Sequence, residues 1–456
     1  MHDAPRCSAP VRSGSDTRAA KAGPVFSAIS ARTDISTPEL SPLSISFRYA
    51  RLEEVQEVAR LTSHSFPGKG RDPEWWMERF RETSYGDGPE IIWVGEEAGR
   101  LVASCQLHRL SHWVSGVEVP SMGLGTVAIA PTHRRRGIAG CMVETGLRAA
   151  RERGDLASSL YPFRASFYGR FGYGLSGDAH QYHIPPAVLP PGEANDQVEV
   201  VAGEAALAEI RGFYDSWAPS QTGQVKRTER VWRELTGGPD RLLVGYRGGD
   251  GLFSGYALVT YVLHPPPAER YLSVDELAWA TTDARRGLYG WLSSLGDQWS
   301  GLVMRALPEH RLEDWLIEPR LVSGTVPLWG IWFPSAALLR GPMFRLLDLK
   351  RAWTARRVEP DAALTVALDV QDEQLLENGG RWRLRFENGA VEVVAGEGSA
   401  DVHLRLGIQA LSRIYTGALP PTAAAAGGLA EVDRPAGLDA LDRALRLPQP
   451  WTFDKY

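Results

Sequence analysis

The stretch GTVAIAPTHRRRGIAG, residues 125–140, carries the clearest chemical pattern in the chain. Its apolar first half predicts a strand, Pro131 follows, and three arginines precede Gly137 at the start of an amphipathic segment. Where a strand turns into a helix in this way, the first-turn N–H groups and the positive end of the helix dipole attract an anion. Neighbouring arginines add charge that suits phosphate oxygens. The pattern R-x-x-G-x-A therefore indicates a pyrophosphate site, and a solvated basic turn is the alternative interpretation.

Hydrophobic periodicity predicts a mixed α/β unit around this motif. A short strand at residues 44–50 and a helix containing Val55, Val58 and Leu61 come first. Antiparallel strands lead into the motif, and further elements follow it. The predicted strands are Ile91–Gly95, Leu101–Leu110, Val114–Val119, Gly125–Ala130 and Leu156–Pro162, and the predicted helices are Gly137–Arg153 and Ala165–Phe171.

Two further units follow, so we expect four regions: a disordered tail at 1–44, then domains at 45–184, 185–342 and 343–456. A Pro-rich linker opens the second domain, whose elements repeat the order of the first and indicate a degenerate duplication. They are a helix at Ala205–Trp217, strands at Arg241–Tyr246, Gly255–Leu263 and Leu272–Ala280, and a helix at Leu288–Trp299. The last domain has three strands of alternating polarity and a helix, which predicts an α+β fold with one solvated sheet face.

Composition excludes several classes of protein. The 456 residues include 50 Lys and Arg and 55 Asp and Glu. The resulting net charge of −5 argues against a nucleic-acid binder. No apolar run reaches the roughly 18–20 residues of a membrane span. Three scattered cysteines form neither a disulfide framework nor a zinc site, and they suit the cytoplasm. His108 and His112 lie in a strand-like segment without an intervening Glu, so we expect no bound metal.

The motif at 125–140 resembles the acetyl-CoA signature of GNAT acetyltransferases. A second segment, FYGRFGYG at 167–174, and the three-domain layout resemble the Eis (enhanced intracellular survival) family of N-acetyltransferases over residues 46–456. The resemblance implies tandem GNAT folds, of which the N-terminal one is active and the central one degenerate, and a C-terminal sterol-carrier-protein-like α+β domain. It also implies acetyl-CoA as the co-substrate and a homo-oligomer, a hexamer.

The resemblance further implies roles for individual residues. Tyr168 would be the general acid that protonates the departing CoA thiolate. The terminal carboxylate of Tyr456 would be the general base that takes a proton from the incoming ammonium. The residues implied in acetyl-CoA binding are Val127, Ala128, Ile129, Arg135, Arg136, Gly137, Ile138, Ala139, Gly140, Phe163 and Arg164.

These roles agree with the needs of thioester aminolysis, which requires a neutral amine and a protonated leaving group. A tyrosine with a pKa of about 10 keeps its proton at neutral pH. A terminal carboxylate is a weak base unless it is partly desolvated. The alternatives are that Tyr168 is a packing aromatic and that Tyr456 belongs to a frayed end, although Pro450, Trp451 and Phe453 favour burial of the tail.

The central domain contains a related segment, TTDARRGLYG at 281–290. Ala284 stands where Arg134 would, and Tyr289 stands where Ala139 would. A bulky side chain there would block a pyrophosphate, so we expect a scaffold or pocket wall and not a second active site.

The acceptor is the least determined part of the function. The resemblance implies a small-molecule or peptide amine, namely a polyamine, an aminoglycoside or a lysine-containing acceptor. Lys455 stands where a pocket for a polycation would favour an acid. A lipid or acyl-CoA carrier with a vestigial acetyltransferase domain is the alternative function, because sterol-carrier folds enclose an apolar tunnel.

Overall fold

The structure, a computed structural model, describes residues 45–456 except 69, 82–85, 87, 193–194, 264–269 and 321–333. The predicted tail at 1–44 lies outside the described residues. The described strands form two seven-stranded sheets and one five-stranded sheet. None of the helices in these ranges has the length and apolar composition to cross a bilayer.

The first sheet has the order β1-β2-β3-β4-β5-β14-β6 and is antiparallel except where β5 pairs with β4. Its hairpin β3–β4 turns at Ser115 and Gly116, which both have positive φ, so the strand predicted at Val114–Val119 is wrong because it contains a tight turn. The strands are β1 Ile45–Tyr49, β2 Ile92–Glu97, β3 Arg100–Val114, β4 Val117–Ile129, β5 Ala157–Leu160, β6 Gly174–Leu175 and β14 Met343–Leu346. The helices are α1 Val55–Ser65, α2 Pro73–Arg81, α3 Ile138–Arg153 and α4 Ala165–Gly169.

The second sheet has the order β13-β7-β12-β11-β10-β9-β8 and repeats the plan of the first. Its parallel pair β11–β12 is joined by α7, as β4–β5 is joined by α3. The strands are β7 Asp178–Ile184, β8 Val198–Val200, β9 Arg241–Arg247, β10 Phe253–Leu263, β11 Arg270–Trp279, β12 Gly301–Ala306 and β13 Ala337–Arg340. The helices are α5 Gly203–Trp217, α6 Glu229–Thr236 and α7 Thr282–Ser294. The helix predicted at Leu288–Trp299 thus begins about two turns earlier and ends sooner.

Two strands lie in a sheet other than the one that the predicted domain boundaries assign to them. Strand β7, placed before the boundary at 184, pairs with β12 and β13 of the second sheet. Strand β14, placed after the boundary at 342, pairs with β5 and β6 of the first sheet. The chain therefore crosses between the first two domains twice.

The third sheet has the order β17-β16-β15-β18-β19 and agrees with the predicted α+β class. Its inner face packs on α8 and α9, where the Trp353 ring meets those of Phe386 and Tyr415. The strands are β15 Leu364–Gln371, β16 Gly380–Glu387, β17 Ala390–Ala395, β18 Val402–Gly407 and β19 Ala430–Val432. The helices are α8 Leu349–Ala355, α9 Ile408–Tyr415, α10 Pro421–Ala426 and α11 Leu438–Ala444.

Candidate active site

The turn from β4 into α3 has the backbone of an anion site. Strand β4 ends at Ile129, a short 3-10 turn runs over Pro131–His133, and α3 begins at Ile138. Arg135 and Gly137 have φ values of 63° and 81°, and no side chain caps the helix. The Gly140 N–H donates to the Gly137 carbonyl at 2.9 Å, which leaves the N–H groups of Ile138 and Ala139 for a ligand.

The three arginines of this turn have different surroundings. Arg136 donates to both oxygens of Glu97, at 3.0 and 2.6 Å, and this contact lowers the pKa of the Glu97 carboxyl. Arg134 donates weakly to the Ile129 carbonyl at 3.4 Å. Arg135 is exposed. Arg135 is thus the arginine best able to turn to an anion, whereas Arg136 would share its charge with Glu97.

Other residues implied in cofactor binding lie on β4 and in the first turn of α3. Ala128 is completely buried, and Val127 and Ile129 are partly buried against the same core as Ile138. The Ile138 side chain is a core residue, so only its backbone can face a ligand. A Cβ on Gly137 would meet nothing within 4 Å, which leaves open space above the turn.

The strands β4 and β5 separate next to this turn. They pair only from Ser121 to Gly123 on β4 and from Ala157 to Ser159 on β5. Beyond Gly123, β4 continues to Ile129 while β5 ends at Leu160. The separation opens a cleft along the edge of β4.

The C-terminal residue lies in this cleft. A Cβ on Gly123 would come within 2.6 Å of the Tyr456 ring, so only glycine leaves room for it. A Cβ on Gly125 would lie 3.5 Å from the terminal carboxyl carbon of Tyr456 and 3.0 Å from Nε2 of His108. The Tyr456 hydroxyl is hydrogen-bonded to Ser159 on β5. The terminal carboxyl group is thus held beside β4 and close to the His108 ring.

Tyr168 lies on α4, directly after β5. Its side chain is 4% exposed and packs against the rings of Phe163, Phe167 and Tyr173 at centroid distances of 5.6, 5.0 and 6.1 Å. Burial raises the pKa of the Tyr168 phenol, and the nearby Cys105 thiol adds to this effect. Tyr168 therefore stays protonated over the whole physiological pH range.

The segment FYGRFGYG brings α3 and α4 together. A Cβ on Gly140, in the first turn of α3, would lie 3.3 Å from the Phe171 ring. Gly172 has φ of 81°, and a Cβ there would lie 2.1 Å from the buried guanidinium of Arg345. At the rim, Phe163 is 74% exposed and Arg164 is exposed. The segment after β5 therefore packs against the first turn of α3, on the same core as β4.

Sequence reasoning missed the polar groups that hold Tyr456. His112 is hydrogen-bonded through Nε2 to Ser159 at 2.7 Å and through Nδ1 to the Gly223 carbonyl at 2.9 Å. Burial lowers the pKa of His112 to about 4, so the ring is neutral. Asp454, two residues before Tyr456, receives two contacts from Nε of Arg227, at 3.0 and 3.2 Å. No local pattern marks these contacts, because the partners are far apart in the chain.

The corresponding turn of the central domain is closed. Helix α7 starts at Thr282, and the Thr281 hydroxyl accepts the Ala284 N–H at 3.1 Å. Tyr289 is 1% exposed and fills the space beside the helix. The guanidinium of Arg285 lies over the rings of Trp279, Tyr289 and Trp315, at 5.0, 5.3 and 4.1 Å.

Comparisons with known proteins agree with this architecture. Models of an acetyltransferase (GNAT) domain match residues 46–176 and 223–340, and a model of a sterol carrier protein domain matches residues 349–453. An uncharacterized N-acetyltransferase of Streptomyces avermitilis is 28% identical over 366 residues, which cover 75% of this chain and 82% of that protein. N-acetyltransferase Eis of Mycobacterium tuberculosis is 26% identical over 344 residues, which cover 73% of this chain and 80% of that protein.

Solved structures share the fold. A GCN5-related N-acetyltransferase from Anabaena variabilis superposes with a TM-score of 0.77 at 21% identity, over 90% of this chain and 100% of that one. Eis1 from Mycobacterium abscessus superposes with a TM-score of 0.70 at 21% identity, with the same coverage. The chain is therefore a GNAT N-acetyltransferase, with the Eis-like arrangement of two GNAT domains followed by a sterol-carrier-like domain.

Proposed function

We propose that this N-acetyltransferase moves the acetyl group of acetyl-CoA to a primary amine in the cleft between β4 and β5. The observation that carries the proposal is that the terminal carboxyl group of Tyr456 lies in this cleft, beside Gly125. The uncapped first turn of α3 follows β4, and the buried phenol of Tyr168 lies on α4, the helix that follows β5.

The anion site would hold the pyrophosphate of acetyl-CoA. The N–H groups of Ile138 and Ala139 and the guanidinium of Arg135 would bind it, with Arg136 contributing from its contact with Glu97. The edge of β4 at Val127, Ala128 and Ile129 would hydrogen-bond the pantetheine. Phe163 and Arg164 would flank the opening through which the acyl chain enters.

Tyr456 and Tyr168 would then move two protons. The Tyr456 carboxylate takes a proton from the incoming ammonium, directly or through a water molecule, and the neutral nitrogen attacks the thioester carbon. As the C–S bond breaks, the Tyr168 phenol gives its proton to the departing sulfur. The raised pKa of Tyr168 favours the protonated form that this step needs.

The resemblance implies polyamines, aminoglycosides or lysine side chains as acceptors, and the charges near the tail favour an amine with a single charge. Asp454 and Glu276, two acids near the terminus, are both paired with Arg227. A lysine side chain therefore fits better than a polycation. The cytoplasmic location is a proposal that rests on the three scattered cysteines, and the hexamer is one that rests on the resemblance alone.

Nothing in the described part of the third domain favours the carrier function. The inner face of its sheet packs directly on helices, and the buried Arg356 donates to the carbonyls of Tyr415 and Leu445 at 3.0 Å each. A cation in this core suits a structural domain better than a lipid tunnel.

The test is thiol release from acetyl-CoA by N-terminally tagged protein, with kanamycin, spermidine and a lysine peptide as acceptors. Tyr168→Phe should lower kcat by about 100-fold, the usual scale for losing a general acid, and leave acetyl-CoA affinity within twofold. The matched control is Tyr246→Phe in the central domain, which should keep full activity. Equal loss of kcat and of acetyl-CoA affinity in Tyr168→Phe would show that the phenol is only structural.

A further inference from the structure

A segment of the central domain touches both the active domain and the C-terminal tail. Residues 222–227, called the bridging segment here, connect α5 to α6. On one side they pair with the end of β3: Trp113 donates to the Gln224 carbonyl at 2.8 Å, and Lys226 donates its N–H to the Ser111 carbonyl at 2.9 Å. On the other side the Trp451 N–H donates to the Thr222 carbonyl at 2.8 Å.

The segment ends in a buried ion cluster with Arg227 at its centre. The Arg227 side chain is 0% exposed, and those of Glu276 and Asp454 are each 2% exposed. Arg227 donates to Glu276 at 2.6 and 3.0 Å through its terminal nitrogens, and to Asp454 through Nε. The rings of Tyr214 and Trp232 cover the guanidinium at 4.2 and 4.8 Å. Water is thus excluded from the contact between Arg227 and the tail.

The cluster fixes the tail two residues before its end. The Tyr161 hydroxyl, just past β5, donates to the Asp454 carbonyl at 2.7 Å. Phe453 stacks on Trp217 of α5 with ring centroids 6.1 Å apart. Only Lys455 separates Asp454 from Tyr456, so fixing Asp454 leaves the terminal carboxyl group little room to move.

We propose that Arg227 and Asp454 are positioning residues for the C-terminal base, and that holding this terminus in the cleft of the first domain is what the central GNAT-like domain contributes to catalysis. The inference rests on the proposed role of Tyr456. A chain end has many accessible conformations, and a misplacement of about 1 Å can cost a reaction about 100-fold. The cluster removes that freedom before the substrates bind.

The charges of the ion cluster determine which variant can test the positioning role. One arginine faces two carboxylates, so removing Arg227 would leave two buried acids without a counter-charge and endanger folding. Asp454→Asn keeps the shape of the side chain and leaves Arg227 balanced by Glu276. The amide oxygen can still accept a hydrogen bond from Arg227, but the acceptor no longer carries a negative charge.

We expect Asp454→Asn to lower kcat about tenfold while the KM for acetyl-CoA stays within twofold, because a weaker neutral contact holds the base. Carboxypeptidase should release Tyr456 faster from this variant than from the unaltered protein. The matched control is Asp442→Asn in the third domain, where a half-buried carboxylate accepts the Thr422 N–H at 3.1 Å. This control should change neither readout.

A variant that lacks Tyr456 distinguishes a failure of the proposed base from a failure of its proposed positioning. Full activity of the shortened protein would overturn both the base and its positioning. Lost activity of the shortened protein, with unchanged kcat and unchanged Tyr456 release in Asp454→Asn, would overturn the positioning role alone. An equal fall of kcat in Asp442→Asn would also overturn it, by showing that general destabilisation is the cause.

Discussion

The first and central domains contain the same triplet, Arg-Arg-Gly, in opposite conformations. In the first domain Arg135, Arg136 and Gly137 form a loop before α3, with positive φ at Arg135 and Gly137. In the central domain residues 285–287 lie inside α7, which starts at Thr282. The positions differ because Pro131 and a left-handed glycine delay the helix in one domain, whereas Thr281 caps it early in the other.

The earlier helix start leaves α7 without the uncapped first turn that α3 has. The Thr281 hydroxyl accepts one first-turn N–H of α7, where α3 has no side-chain cap. Arg285 turns inward over three aromatic rings and donates to the His310 carbonyl at 2.7 Å, so its charge is used within the domain. If the proposed function holds, a parallel strand pair joined by a helix is not enough for acetyl-CoA binding, which then depends on the conformation of about one helical turn.

Ala139→Tyr should abolish the difference between the domains in one step. It places in α3 the residue that α7 has at Tyr289, and a ring there would occupy the space above the first turn. We expect acetyl-CoA affinity to fall at least 100-fold by calorimetry, and thiol release to fall with it, because close approach of the phosphates is lost.

The control is Glu152→Tyr, an exposed position near the other end of α3, which should bind acetyl-CoA normally. Unchanged affinity in Ala139→Tyr would mean that the first turn of α3 is not the pyrophosphate site. The expectation that Tyr289 closes the central domain to a pyrophosphate would then fail as well.

Features set by nearby residues could be predicted from the sequence. The position of the turn before α3 follows from Pro131 and Gly137, and the sheet of the third domain follows from the alternation of Val366, Leu368 and Val370. The early start of α7 has a local signal, Thr281 followed by Asp283. The spacing of the apolar residues alone does not show this signal, so it predicts a later start.

Features set by distant partners could not be predicted. Strand β14 returns to the first sheet after the chain has passed through the second, and periodicity carries no information on which sheet a strand joins. The contact of Arg227 with Asp454 joins residues 227 positions apart. The burial of Tyr456 was suggested only by aromatic tail residues and by a family resemblance, since nothing local specifies the cleft that receives it.

Acid should weaken both domains, through the buried His108 and His112 in the first domain and His310 in the central one. Burial lowers the pKa of His112 in the first domain and of His310 in the central domain to about 4, and Arg285 adds to the shift of His310. Because the unfolded chain takes up these protons near pH 6.5, stability is complete above that pH and falls as the pH drops toward 4. The loss is at most about 1.4 kcal/mol per histidine and pH unit.

Calorimetry at pH 7.5 and pH 5.0 checks this and assigns the effect to a domain. His310→Gln should reduce the loss on acidification, and it should leave the acid sensitivity that His112 produces in the first domain. An unchanged pH dependence in His310→Gln would contradict the neutral burial of that ring.

The smallest expected effect concerns the cap of α7. Thr281→Ala removes the hydroxyl that accepts the Ala284 N–H and should destabilise the protein by about 1 kcal/mol, the usual cost of losing a helix cap. Thr281→Asp, which can cap equally well, should restore the stability measured by denaturant unfolding. Acetyl-CoA affinity should stay the same in both variants, because both keep the buried Tyr289. A gain in affinity in Thr281→Ala would show that the cap alone, and not the ring, closes the central domain.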